Sequence, residues 1–176
     1  DTLTVTANAT DAEGNYYGES NITALVDGGA GDDEVTLSVV DAEGNTSGEG
    51  QIYASVSGGD GADTVTIHGG WSNSLVVDGV ETVDAGDTGA YEGNSITADG
   101  ALEVVTLGQA GDTLTVSTSG EGVTVATSVN GGSSADTVTF NATLGADVDV
   151  TVNGGDGADT LTVTANATDA EGNYYG

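Results

Sequence analysis

Threonine and apolar residues alternate in short runs along this chain. The run is TLTVTA after Asp1, EVTLSV after Asp33, TVTI after Asp63, TLTVS after Asp112, TVTF after Asp136 and TLTVTA again after Asp159. A period of two puts successive side chains on opposite faces of a strand. Leu3, Val5, Val35, Leu37, Val65, Ile67, Leu114, Val116, Val138 and Phe140 are then expected to point inward. Thr2, Thr4, Thr64, Thr66, Thr113, Thr115, Thr137 and Thr139 are expected to point out, and β-branched residues suit such a pleated surface.

A second apolar run precedes most of these aspartates: ITALV at Ile22–Val26, IYASV at Ile52–Val56, VTVATSV at Val123–Val129 and VDVTV at Val148–Val152. A weaker Asp-led run, DTGAY, begins at Asp87. Each coil therefore reads strand, variable turn, strand, fixed turn, and successive aspartates lie 23 (Asp136 to Asp159) to 32 (Asp1 to Asp33) residues apart. A coil of that length cannot bury its apolar face alone, whereas stacked coils bury a continuous narrow core. Helix is disfavoured because Gly and β-branched residues recur where Ala, Leu, Lys or Glu would be needed. The absence of Pro suits uninterrupted ladders. The expected fold is all-β: a parallel β-solenoid or β-roll of about six coils per 158 residues, with the fixed turns on one side.

The figure of 158 comes from an identity. Asp1–Gly18 and Asp159–Gly176 are the same eighteen letters, DTLTVTANATDAEGNYYG, offset by 158 (159 less 1). Residues 1–158 then read as one complete unit of a tandem array, and 159–176 as the start of the next. An engineered overlap is the other origin of such an identity.

Charge changes the picture. The chain carries 29 acidic residues and no Lys or Arg, giving a formal net charge of −29. Each carboxylate must be solvated, hydrogen-bonded, protonated or paired with a bound cation. Nucleic acid and anionic membranes are repelled as partners. No apolar run approaches the roughly 20 residues of a membrane-spanning helix, so membrane insertion is not expected. Without Cys there is no disulfide framework.

The fixed turns carry the candidate chemistry. Gly28–Thr36, Gly58–Thr66 and Gly154–Thr162 each fit G-G-x-G-x-D-x-U-x at every specified position. Gly131–Thr139 fits with one departure, Ser134 in place of the third Gly. Glycine reaches positive φ, so such a turn can curl and aim its carbonyls at one point. Calcium takes six to eight oxygen ligands. These residues resemble the nonapeptide of the RTX family, whose turns hold calcium in a parallel β-roll. The resemblance implies Ca2+ between consecutive turns, with Gly28, Ala30, Asp32, Asp33, Gly58, Asp60, Ala62, Asp63, Gly131, Asp136, Gly154, Asp156, Ala158 and Asp159 around it. It also implies export and folding outside the cell, at an extracellular or cell-surface location. Here the motif is expected on one side only, and the coils are longer than in the family. The turns before Asp87 (TVDAGD) and Asp112 (LGQAGD) lack the paired glycines, so calcium is not expected there. The alternative is a set of glycine turns with solvated aspartates.

Asp11-Ala12-Glu13-Gly14-Asn15 recurs as Asp41-Ala42-Glu43-Gly44-Asn45. Asp11, Glu13, Asp41 and Glu43 could wrap a hard cation or form an acidic turn in solvent; both readings stand. His68, the single imidazole, reads as a solvated strand-end residue, and Trp71 as an edge cap or a sugar platform. Glycosylation sequons at Asn8, Asn21, Asn45 and Asn141 leave surface glycans open as partners. The function expected is structural: a calcium-riveted repeat of a fibre, stalk, sheath or adhesin, partnered by other copies of itself. A binding module using the threonine rows on ice or carbohydrate is the alternative. No enzyme is expected, because no carboxylate pair is set among basic groups.

Overall fold

The computed structural model describes residues 1–8, 20–41, 45, 50–88, 92–120 and 123–166. The chain forms strands that wind alternately through two parallel sheets. The first sheet contains β1 (Thr2–Asn8), β3 (Glu34–Val40), β5 (Thr64–His68), β7 (Thr82–Asp87), β9 (Val104–Thr106), β12 (Ser128–Asn130) and β15 (Thr151–Asn153), hydrogen-bonded in that order. The second contains β2 (Ile22–Ala30), β4 (Ile52–Asp60), β6 (Ser74–Asp78), β8 (Ser95–Ala98), β10 (Thr113–Ser119), β13 (Thr137–Thr143) and β16 (Thr160–Asn166). Each named strand pair is parallel, so this is a parallel β-solenoid, with no helix among the described residues.

The period-two pattern decides what is inside. Val35, Leu37, Val65, Ile67, Leu114, Val116, Val138 and Phe140 are all buried, in one continuous cluster with Ile52, Val56, Leu75, Ile96 and Leu102 between the sheets. The alternating threonines face out or sit half-buried on the sheet surfaces. Leu3 and Leu161, in the outermost strands, keep 40% and 51% of their surface, because no further described strand covers them. The two long apolar runs near the C-terminal side are each broken in two. Val123–Val129 divides into β11 (Thr124–Val125) and β12, and Val148–Val152 into β14 (Asp147–Val148) and β15. β11 and β14 pair with each other as a small sheet of their own.

Two expectations are corrected. The first is the placing of the fixed turns on one side. The turns ending at Asp33 and Asp63 lead from the second sheet into the first (β2 to β3, β4 to β5). Those ending at Asp136 and Asp159 lead from the first into the second (β12 to β13, β15 to β16). The motif turns thus occupy both edges of the solenoid, two on each. The second correction is the count of six coils. Coils shorten in the middle: Thr64 pairs with Thr82, eighteen residues on, and Ser95 with Thr113, again eighteen on. Five strand-to-strand steps fit between β5 and β10 where spacing suggested four. Asp87 opens no strand; it ends β7, and its place at the head of that strand falls to Glu81.

Candidate functional site

The side chain at the head of each strand makes a repeated contact. The backbone N–H of Asp33 donates to Asp63 Oδ1 at 2.8 Å, and that of Asp63 to Glu81 Oε2 at 2.7 Å. The nitrogen of Asp1 lies 2.6 Å from Asp33 Oδ1 in the same sense. On the opposite edge the N–H of Asn94 donates to Asp112 Oδ1 at 2.5 Å, that of Asp112 to Asp136 at 2.7 Å, and that of Asp136 to Asp159 at 3.0 Å. Two ladders of acceptor side chains therefore run along the solenoid, one per edge. They place Asp33, Asp63, Asp112 and Asp136 out of water. Asp159, at the last coil, is exposed.

The glycines explain how a carboxylate fits there. A Cβ at Gly28 would stand 2.6 Å from Asp33 Oδ2; at Gly58, 2.4 Å from Asp63 Oδ2; at Gly131, 2.8 Å from Asp136 Oδ2; and at Gly154, 2.2 Å from Asp159 Oδ2. The first glycine of the motif is required by this contact. The third is required by its backbone: Gly31, Gly61 and Gly157 have φ of 105°, 152° and 137°. Ser134 holds the same place at φ 77°, in a region that costs an L-residue free energy.

One carboxylate oxygen in each of three motif turns has no partner. Asp33 Oδ2, Asp63 Oδ2 and Asp136 Oδ2 are buried and accept no hydrogen bond. The Asp33 carboxylate has the Asp1 ammonium at 2.6 Å on its other oxygen. At Asp63 and Asp136 an unpaired buried charge is costly, and with no Lys or Arg in the chain a bound cation is the natural partner. Asp112 differs. Its turn lacks the paired glycines, and its Oδ2 accepts from the N–H of Gly108 at 2.6 Å. Burial nevertheless raises the Asp112 pKa, partly offset by the N–H groups of Asn94 and Gly108. Burial likewise pushes Asp136 up to about 6, and the neighbouring Asp112 and Asp159 charges add to the rise.

The remaining expected ligands sit elsewhere on the turns. Ala30, Asp32, Asp60, Ala62, Asp156 and Ala158 are exposed on the solvent side. Asp32 Oδ1 accepts from the N–H of Ala62 one coil on, at 3.0 Å. Among the described residues no three His, Cys, Asp or Glu side chains converge as a metal-binding group. A hard cation would therefore be held by one or two aspartates and turn carbonyls together. The orphaned oxygens, the glycine cradles and the all-oxygen donor set fit Ca2+ in that manner. Of the second candidate set, Asp11, Glu13 and Glu43 lie outside the described residues. Asp41 lies within them, and its carboxylate accepts from the backbone N–H (2.8 Å) and side-chain amide (2.9 Å) of Asn45. His68 Nδ1 stands 3.3 Å from an Asp87 carboxylate oxygen, so the strand-end imidazole has an acidic neighbour.

Sequence reasoning missed three ladder members: Asn73, Asn94 and Glu81. Their signal was present. NSLVV, NSITA and ETVDA each begin with an acidic or amide residue, then Ser or Thr, then an apolar residue. Reading Asn and Glu as substitutes for Asp would have found them. Comparison with protein-family models, curated sequences and solved structures returns no match.

Proposed function

We propose that the chain is a calcium-stabilised structural repeat of an extracellular fibre, stalk, sheath or adhesin. The observation that carries this reading is the set of three buried, unpartnered carboxylate oxygens, at Asp33, Asp63 and Asp136, in a chain without a single Lys or Arg. Calcium supplies the missing positive charge and joins neighbouring coils. Asp33 and Asp63 with the carbonyls of the Gly28 and Gly58 turns hold it on one edge. Asp136 and Asp159 with those of the Gly131 and Gly154 turns hold it on the other. Inside a metal-poor cell the carboxylates repel one another, and outside it millimolar calcium drives folding. The half-exposed Leu3 and Leu161 support end-to-end stacking with further copies. Calorimetric titration of the chelated chain, read alongside circular dichroism, tests this. Binding of three or more calcium ions with a gain of β-structure is expected. No binding and no change at millimolar calcium would sink the reading.

One observation favours a lateral binding role as a second reading. The two central outward rows of the second sheet carry no carboxylate: Thr23, Tyr53, Ser74, Ser95, Thr113, Thr137 and Thr160 in one, and Leu25, Ser55, Val76, Thr97, Thr115, Thr139 and Thr162 in the other. The first sheet has Glu34 and Asp84 in the corresponding rows. Two adjacent neutral rows, bordered by Asp27 and Asp78 in the next outward row, suit an uncharged ligand such as ice or a neutral glycan. Ice-recrystallisation and glycan-binding assays at fixed calcium separate this role from a purely structural one.

A further inference from the structure

Identical sequences occupy different sheets in this molecule. β1 and β16 are both TLTVTAN, yet β1 belongs to the first sheet and β16 to the second. Between them the chain alternates sheets thirteen times, leaving aside the corner strands β11 and β14. Two steps make one coil, so 158 residues make six and a half coils. We infer that successive units of a tandem array are related by a half-turn about the solenoid axis, so that the two sheets exchange roles at every junction. The inference rests on the reading of the chain as a stacking repeat, proposed above.

The seam is half visible already. β16 lies on β13, with Thr137 against Thr160 and Phe140 against Val163. In its other copy this strand takes β3 on the opposite side, with Thr2 against Glu34 and Val5 against Leu37. One strand can do both, because a parallel strand has two hydrogen-bonding edges. The next unit therefore seats its β3 on β16, covering Leu161 and Val163, which are 51% and 47% exposed in this chain.

The other sheet follows by matching turns. Each stacked pair of motif turns is in like register, Asp27 with Ser57 and Asn130 with Asn153, each residue immediately before a paired glycine. The same rule sets Asp27 of the next unit on Asn153, and its β2 on β15. The turn ending at Asp159 and the next unit's turn ending at Asp33 then fall on the same edge, so the row of motif turns on that edge continues across the junction. The face with two carboxylate-free central rows does not continue. It runs for seven strands on one side of the rod, from β2 to β16, and then gives way to strands bearing Glu34 and Asp84. Each side shows that face once in two units, roughly 62 Å at about 4.8 Å per coil.

The test uses a double-length chain, residues 1–158 followed by 1–176, in calcium. Thr97→Cys is placed in both units, and since the chain has no other cysteine the two thiols alone are labelled with gold. Electron microscopy should show the particles on opposite sides of a straight rod, about 31 Å apart along it. Both particles on one side of a straight rod would overturn the half-turn while leaving end-to-end stacking intact. A jointed or collapsed particle would overturn the stacking itself, and the half-turn with it. A second measurement on the single chain tests the extra half-coil where it arises. The Ser95→Cys/Thr113→Cys pair lies on neighbouring strands and should oxidise to a disulfide. Preferential closure of Thr88→Cys/Thr113→Cys would restore an even count of six coils and overturn the inference.

Discussion

The motif turns and the middle of the solenoid solve one problem in two ways. Both must keep the head of each strand hydrogen-bonded to the next coil without any basic side chain. At Asp33, Asp63 and Asp136 a carboxylate does this with one oxygen and leaves the other buried and bare. In the middle the task falls to Asn73 and Asn94. Asn73 accepts from the N–H of Ile52 at 2.9 Å and donates to Gly69 O and to Asn94 Oδ1. Asn94 in turn donates to Thr88 Oγ1 and Asp112 Oδ1, both at 2.9 Å. A carboxamide carries its own donors, so this stretch closes without outside help. A carboxylate is acceptor-only and leaves a charge to be answered. The same ladder closes on itself at Asn73, Asn94 and Asp112 and leaves a bare oxygen at Asp33, Asp63 and Asp136, where a cation is proposed to bind.

Removing calcium should separate the two regions most widely. A site held at a hundredfold excess over its Kd adds about 2.7 kcal/mol, so three sites add about 8 kcal/mol. Chelation should lower Tm by on the order of 20 °C for a chain of this size. Hydrogen exchange should show the coils around Asp33 and Asp136 opening before β6 and β8. Uniform opening of all coils would break the comparison.

Single substitutions come next. Asp63→Ala leaves the Asp33 N–H without its acceptor and removes a proposed ligand, so a loss of about 3 kcal/mol in calcium is expected. The number of bound ions should fall as well. Asp112→Asn, at a turn whose carboxylate already has Gly108 as donor, should leave that number unchanged. Loss of calcium in Asp112→Asn would erase the distinction drawn between the two kinds of turn.

Acid should do in the metal-free chain what calcium is proposed to do at neutral pH. The Asp136 pKa is raised from 3.8 to about 6 in the folded chain. Between those values the folded state holds a proton that the unfolded state has released, so unfolding free energy falls as pH rises through the window. The stabilisation is complete below about pH 4 and gone above about pH 6, and amounts to about 3 kcal/mol. Chelated protein should therefore melt higher at pH 4.5 than at pH 7, as denaturation curves at the two values would report. Asp136→Asn should flatten the dependence.

The smallest effect expected is at Ser134. Its φ of 77° is the one departure from glycine at the third motif position. Ser134→Gly should stabilise by about 1 kcal/mol. Equal stabilities would mean that the turn relaxes around the serine.

Much of this was legible in the letters. The inward ladder from Val35 to Phe140 follows from period two alone, because burial on one face is what that period encodes. The coil phase was not legible. It depends on how many residues cross each edge. The links differ widely in length: residues 9–21 separate β1 from β2, and only Gly79, Val80 and Glu81 separate β6 from β7. A strand counts the same whether its head is Asp, Asn or Glu, and a search for Asp alone loses half a coil between Asp63 and Asp112. The division of Val123–Val129 was hidden for a different reason. Its alternation looks unbroken, but the hydroxyl of Thr127 donates to the Leu102 carbonyl at 2.7 Å and is buried there, between the two strands.

The ladders also give the solenoid a direction. Most rungs point the same way, a backbone N–H of one coil toward a side-chain acceptor of the coil that follows it in sequence. A coil facing the C-terminal direction thus offers unspent donors, and one facing the N-terminal direction offers unspent acceptors. Two such rods can join head to tail but not head to head, for then donors would meet donors. A terminator for one end has to bring carboxylates or carboxamides, and a terminator for the other has to bring N–H groups. Growth on such a template would be vectorial: a coil docking on the C-terminal side would satisfy the donor beneath it and present a fresh one for the next.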